Sequence, residues 1–131
     1  MRARARSFWL AAVAGMATAS LASAATILEL DKWMQQIDRR SQEVQRSISR
    51  RDADTATADA RELERLYQWV EEYFARPGNA ADAVQVSKEG RELAATIVRS
   101  VAKNDYAAAQ TAALRIAHSC SACHDVYKPL K

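Results

Sequence analysis

The chain is poor in the residues that punctuate and staple small folds: two cysteines, two prolines and three glycines in 131 residues. So few turn-formers leave little room for the many tight turns of a strand-rich sandwich or barrel. No alternating strand pattern, internal repeat or disordered linker is visible in the sequence. Two cysteines exclude a multi-bridge disulfide scaffold, and with two histidines they supply no second metal-ligand pair for a zinc finger. Acidic residues are absent from the first 24 positions, although 16 follow. The protein is rich instead in Ala, Glu, Arg and Gln, a helix-forming composition.

That acid-free start reads as a leader. Arg2, Arg4 and Arg6 precede the uncharged run "SFWLAAVAGMATASLASA", which ends in the small-x-small pattern Ala22-Ser23-Ala24. This is the layout of a bacterial secretory signal, with cleavage expected after Ala24 and a periplasmic destination. A retained anchor is the competing reading, but the run is weakly hydrophobic for a span, so no membrane association is expected after cleavage. Residues 25–131 then form one small domain. Three of the 19 Lys and Arg leave with the leader, so the remainder has 16 charges of each sign and a net charge of zero. Nucleic-acid binding loses its electrostatic support.

Four helices are expected in the remainder. The first opens at "TILE", where Thr26 and Glu29 form a capping box, and Leu30, Trp33, Met34, Ile37, Val44 and Ile48 make its apolar stripe. Asp52 or Asp54 opens the second, with Ala56, Ala60, Leu63, Leu66, Tyr67, Val70, Tyr73 and Phe74 in line until "RPGN" ends it. Asn79 opens the third, whose inner face is Val86, Gly90, Leu93, Ala94, Ile97 and Val101. Asn104 or Asp105 opens the fourth, with Ala109, Ala113, Leu114, Ala117, Cys120, His124 and Tyr127 on one stripe and Pro129 as terminator. Short connections make neighbours antiparallel, so the expected fold is all-α, an up-down-up-down antiparallel four-helix bundle.

Both cysteines lie in "CSACHD", residues 120–125. A bridge between Cys120 and Cys123 would close almost no loop and add little stability. Zinc would find Cys120, Cys123 and His124 but lack a fourth ligand. A thioredoxin-like centre needs its first cysteine at a helix N-terminus within a strand–helix unit, whereas this pair falls late in a helix. The pattern C-x-x-C-H also marks covalent attachment of c-type haem. Thiols one helical turn apart can add to the two vinyl groups on one porphyrin edge, and the next histidine can bind the iron. One covalently attached haem is the expected cofactor.

With "CSACHDVYK", Cys120 to Lys128, near the end of its last helix, the chain resembles the cytochrome c-prime family of exported four-helix-bundle haem proteins. It departs from many members in the short "RPGNAAD" turn between the second and third helices, which makes it a compact variant. The resemblance implies Cys120 and Cys123 as thioether anchors and His124 as axial iron ligand. It places Lys128 near the proximal imidazole, where a solvated lysine favourable to the helix dipole is the plainer reading. Tyr127 is either packed on the ring or ordinary core. The family also implies a homodimer through the first two helices, an expectation that the shortened turn weakens.

In such a protein the sixth iron position decides the chemistry. The family draws this residue from the first helix, where it is apolar or methionine. Met34 is the only methionine beyond the leader and sits about two turns into that helix, as ligand or as core. His118 lies about 120° round the helix and about 9 Å from His124, badly placed to reach the opposite ring face. Arg39, Arg40, Arg46, Arg50 and Arg51 form either a docking patch for an acidic redox partner or a solvated face. Three functions follow: a non-enzymatic single-electron carrier serving periplasmic redox partners, a five-coordinate protein binding NO or CO, and a haem-free exported interaction or chaperone-like bundle.

Overall fold

In a computed structural model, residues 25–76 and 80–126 are described, with side chains through Ser121. Residues 1–24, Pro77 to Asn79, and Tyr127 to Lys131 lie outside the described residues. Four helices occur in order: α1 (Ile27–Ser49), α2 (Ala53–Phe74), α3 (Ala81–Ala102) and α4 (Tyr106–Val126). No strand occurs among the described residues. The principal contacts run from α1 to α2 and α4, and from α3 to α2 and α4, the square arrangement of a four-helix bundle. No helix among the described residues is long and apolar enough to cross a membrane.

Local chemistry sets the helix ends. The Thr26 Oγ1 accepts the Glu29 N–H at 3.3 Å, and the Glu29 carboxylate accepts the Thr26 N–H at 2.7 Å, completing the capping box. After α1 the chain turns through Arg51 at φ 56°. The N–H groups of Arg51 and Asp52 donate to the carbonyls of Ile48 and Ser47, each at 3.0 Å, the paired bonds of a Schellman turn. Asp52 then caps α2 by accepting the Thr55 N–H at 3.1 Å. The turn from α3 to α4 repeats the device, with Asn104 at φ 58°, bonds to Val101 and Ser100, and the Asp105 carboxylate accepting the Ala108 N–H. One residue at each turn therefore finishes one helix and starts the next. At α3 the cap position is Ala80, without a side-chain bond; the expected cap, Asn79, lies outside the described residues.

That correspondence extends through the core, where the sequence alone shows no repeat. On α1, Leu30, Ile37, Ser41, Val44, Ser47 and Ile48 are buried. The offset that carries Asp52 to Asp105 carries these six to Ala83, Gly90, Ala94, Ile97, Ser100 and Val101, all buried on α3. It likewise carries Ala56, Asp59, Ala60 and Leu63 to Ala109, Ala112, Ala113 and Ile116. The bundle is thus two similar helical hairpins facing each other. Their kinship escapes a sequence scan because burial is shared while most side chains differ.

On α4 the expected stripe needs correction. Leu114 is 47% exposed, and Ile116 with Ala112 fills the core instead. This helix is alanine-rich and apolar on several sides, so periodicity cannot choose its inner face; packing on α1 and α3 does. Val86 and Leu93 of α3 are half-buried, while Ala83, Ser87 and Gly90 face inward.

A polar tie joins α1 to α2. Asp59, only 4% exposed, accepts from Arg40 Nη1 at 2.8 Å and from Ser47 Oγ at 3.4 Å. The hydrogen bond to Asp59 holds the Arg40 guanidinium above its ordinary pKa. Arg91 does the same between α3 and α2, donating to Glu71 at 2.9 Å.

Candidate functional site

The two ends of the bundle are filled differently. Toward the Schellman turns, Val44, Ile48, Leu63, Ile97, Val101 and Ile116 close a fully buried core. Toward the opposite end the inner residues of α3 are small (Ala83, Ser87 and Gly90), and Trp33, Met34, Tyr73 and Phe74 pack half-buried against the core. The last two turns of α4 enter this second end.

The α4 helix runs unbroken through Val126, so Cys120, Cys123 and His124 stand at i, i+3 and i+4 on one helical face. Cys120 is half-buried and packs against the core. The side chains of Cys123 and His124, and the whole of Tyr127 and Lys128, lie outside the described ones.

Tyr67, which the sequence places only on a core face, is a neighbour of Cys120. Tyr67 of α2 is 5% exposed, and its hydroxyl lies 4.0 Å from the Cys120 Sγ. Its ring lies flat enough on α3 that a Cβ at Gly90 would fall 2.5–2.7 Å from ring carbons. A glycine in a helix interior was the one sequence signal of this close approach.

Met34 is half-buried and packed against the core. The Tyr106 hydroxyl bonded to the Arg51 carbonyl fixes the register between the start of α4 and the end of α1. Met34 precedes Arg51 by as many residues as Cys123 follows Tyr106, so the two stand at similar heights on antiparallel helices. Beside it, Trp33 stacks on Trp69 at 5.5 Å between ring centres, closing the α1–α2 seam, and Arg65 covers Trp69 at 4.9 Å. At the rim, Arg76 lies 4.8 Å over Tyr73 and donates to the Ala25 carbonyl at 2.7 Å.

The remaining candidates do not line the interior of this end. His118 is exposed on α4. Of the five arginines, Arg40 is committed to Asp59 and Glu43, and Arg51 lies 5.4 Å over the Tyr106 ring; Arg39, Arg46 and Arg50 are exposed.

The residues present suit a tethered porphyrin. Such a group brings four nitrogen ligands of its own, and the chain need supply only thiols at one-turn spacing and one or two axial ligands. Ala83 and Ser87 are small inward residues at this end, whereas the space over Gly90 is taken by the Tyr67 ring. Among the described residues no cluster of three or more His, Cys, Asp or Glu side chains occurs that could hold a bare metal ion. Comparison with protein-family models, curated proteins and solved structures gives no match.

Proposed function

We propose that this chain is an exported monohaem c-type cytochrome that carries single electrons between periplasmic proteins. The observation that supports it most is the placement of C-x-x-C-H on the last turns of a continuous helix, with Cys120 packed toward an end of small and half-buried residues. Cys120 and Cys123 would hold the haem as thioethers, each S–H adding across one vinyl group with no net oxidation, and His124 on α4 and Met34 on α1 would be the residues that bind its iron. When bound, haem supplies the one-electron couple. Half-buried Trp33, Tyr73 and Phe74 would lower the polarity at this end of the bundle, which together with thioether ligation would favour the reduced state.

Intact mass spectrometry under denaturing conditions tests the proposal. The chain matured in cells competent for cytochrome c assembly gains about 616 Da, the mass of haem, and loses that gain when Cys120 and Cys123 are both replaced by Ala. An unmodified mass from such cells would remove the haem reading and leave the interaction bundle.

A second reading, an open iron site that takes NO or CO, rests on the packing of Met34 against the core, which also suits a plain core methionine. Met34→Leu conserves volume and costs under about 1.5 kcal/mol of stability. On the electron-carrier reading it converts a low-spin spectrum to a high-spin, CO-responsive one. A high-spin wild type whose spectrum Met34→Leu leaves unchanged selects the gas-binding reading.

A further inference from the structure

We propose that Tyr67 is the positioning residue of Cys120: its hydroxyl keeps the first sulfur of the attachment pair turned into the bundle and out of a bridge with Cys123. The inference deepens the haem reading and rests on it for its purpose, but not for its geometry.

Three helices converge on this contact. Tyr67 belongs to α2, its ring is seated on Gly90 of α3, and its hydroxyl meets Cys120 of α4. The seat is tight: with a Cβ at Gly90 the ring could not stay where it is. A buried phenol whose ring is fixed has little freedom to aim elsewhere, so it acts as a fixed marker for the Cys120 sulfur. Before attachment either group can donate the hydrogen bond. Once Cys120 is a thioether the sulfur can only accept, and the tyrosine, still able to donate, keeps the same contact.

Attachment needs this geometry. Beyond the inner membrane the surroundings are oxidising, and a neighbouring thiol pair is exposed to disulfide formation. In a regular helix, residues three apart have Cβ atoms about 5–6 Å apart, whereas a disulfide needs about 3.5–4.5 Å. A bridge from Cys120 to Cys123 would draw two Cβ atoms together against the helix, a movement that the Tyr67 contact on the Cys120 sulfur opposes. Holding that sulfur inward keeps both thiols reduced and presents the first of them to the interior, where the porphyrin edge would lie.

Tyr67→Phe removes the hydroxyl and keeps the ring. In the full chain produced haem-free and equilibrated with reduced and oxidised glutathione, the variant should shift the Cys120–Cys123 equilibrium toward the disulfide by about threefold, the scale of one modest hydrogen bond to sulfur. Its helical circular dichroism and unfolding midpoint should stay close to wild type. Gly90→Ala, which displaces the ring with the hydroxyl intact, should shift the equilibrium in the same direction. Equal constants for wild type and Tyr67→Phe, or a shift toward the dithiol, would overturn the proposal. The haem reading is judged separately by the mass of the matured wild type. A missing haem mass alongside the expected thiol shift refutes the cytochrome and retains the Tyr67 contact; a haem mass with unchanged thiol equilibria does the reverse.

Discussion

Gly90 lies in the interior of α3, where alanine would ordinarily be better by about 1 kcal/mol. Here the added methyl would enter the face of the Tyr67 ring, and the ring is held between helices rather than free at its end. Overpacking of a filled core costs about 1–3 kcal/mol, which outweighs the propensity gain. Gly90→Ala is therefore expected to lower stability by about 1 kcal/mol, seen as a lower urea midpoint at unchanged m-value. A rise in the midpoint would mean that the ring yields freely. The buried Asp59 is a second residue-scale feature, with Arg40 and Ser47 meeting its two oxygens. Neither arrangement was legible in the sequence: Tyr67 and Gly90 were assigned to core faces but not to one another, and Asp59 was assigned to none. Contacts between helices depend on which faces meet, and no local pattern specifies that.

The elements show the opposite balance. The Thr26–Glu29 box is local and legible from residue type and spacing, whereas for α2 and α4 the sequence offers Asp52 or Asp54 and Asn104 or Asp105, and the structure selects Asp52 and Asp105. Hydrogen bonding by Thr55 holds the Asp52 carboxyl below the usual carboxylate range. The native state then binds fewer protons than the unfolded chain as acid is added, so this contribution is present above the unfolded pKa of about 3.9 and is lost as pH falls through the lower native value. Asp52→Asn, itself a good cap, should therefore lower the urea midpoint at pH 7 and differ less from wild type near pH 3. A difference that widens on acidification would contradict this sign. Not every end was legible: α3 starts at Ala80 without a side-chain cap, and α4 turns Leu114 outward because an alanine-rich helix offers several acceptable inner faces.

At the scale of the molecule, two similar hairpins cover each other. The stripe that α1 and α2 bury is covered by α3 and α4, and each hairpin alone would expose it. A chain of residues 25–76 should accordingly show partial helicity and no cooperative thermal transition, because an isolated pair of helices has no second layer to bury its apolar face. A sharp two-state transition from that half, at a concentration where it remains monomeric, would show that the hairpin is a folding unit by itself. The halves also differ in a way that matters for the candidate site. The offset between them pairs Tyr67 with Cys120, so the second hairpin carries the first cysteine of C-x-x-C-H where the first carries the residue that meets it.

The sequence by itself determined the helical class, the Thr26–Glu29 cap and the C-x-x-C-H spacing, because each depends on residues within a few positions of one another along a single helix. The tertiary structure decided what those pieces face. It seated the Tyr67 ring on Gly90, brought its hydroxyl to the Cys120 sulfur, and set Met34 at the height of Cys123. Those relations join residues distant in the chain through the register of packed helices, and packing, a property of whole faces, is what fixes that register.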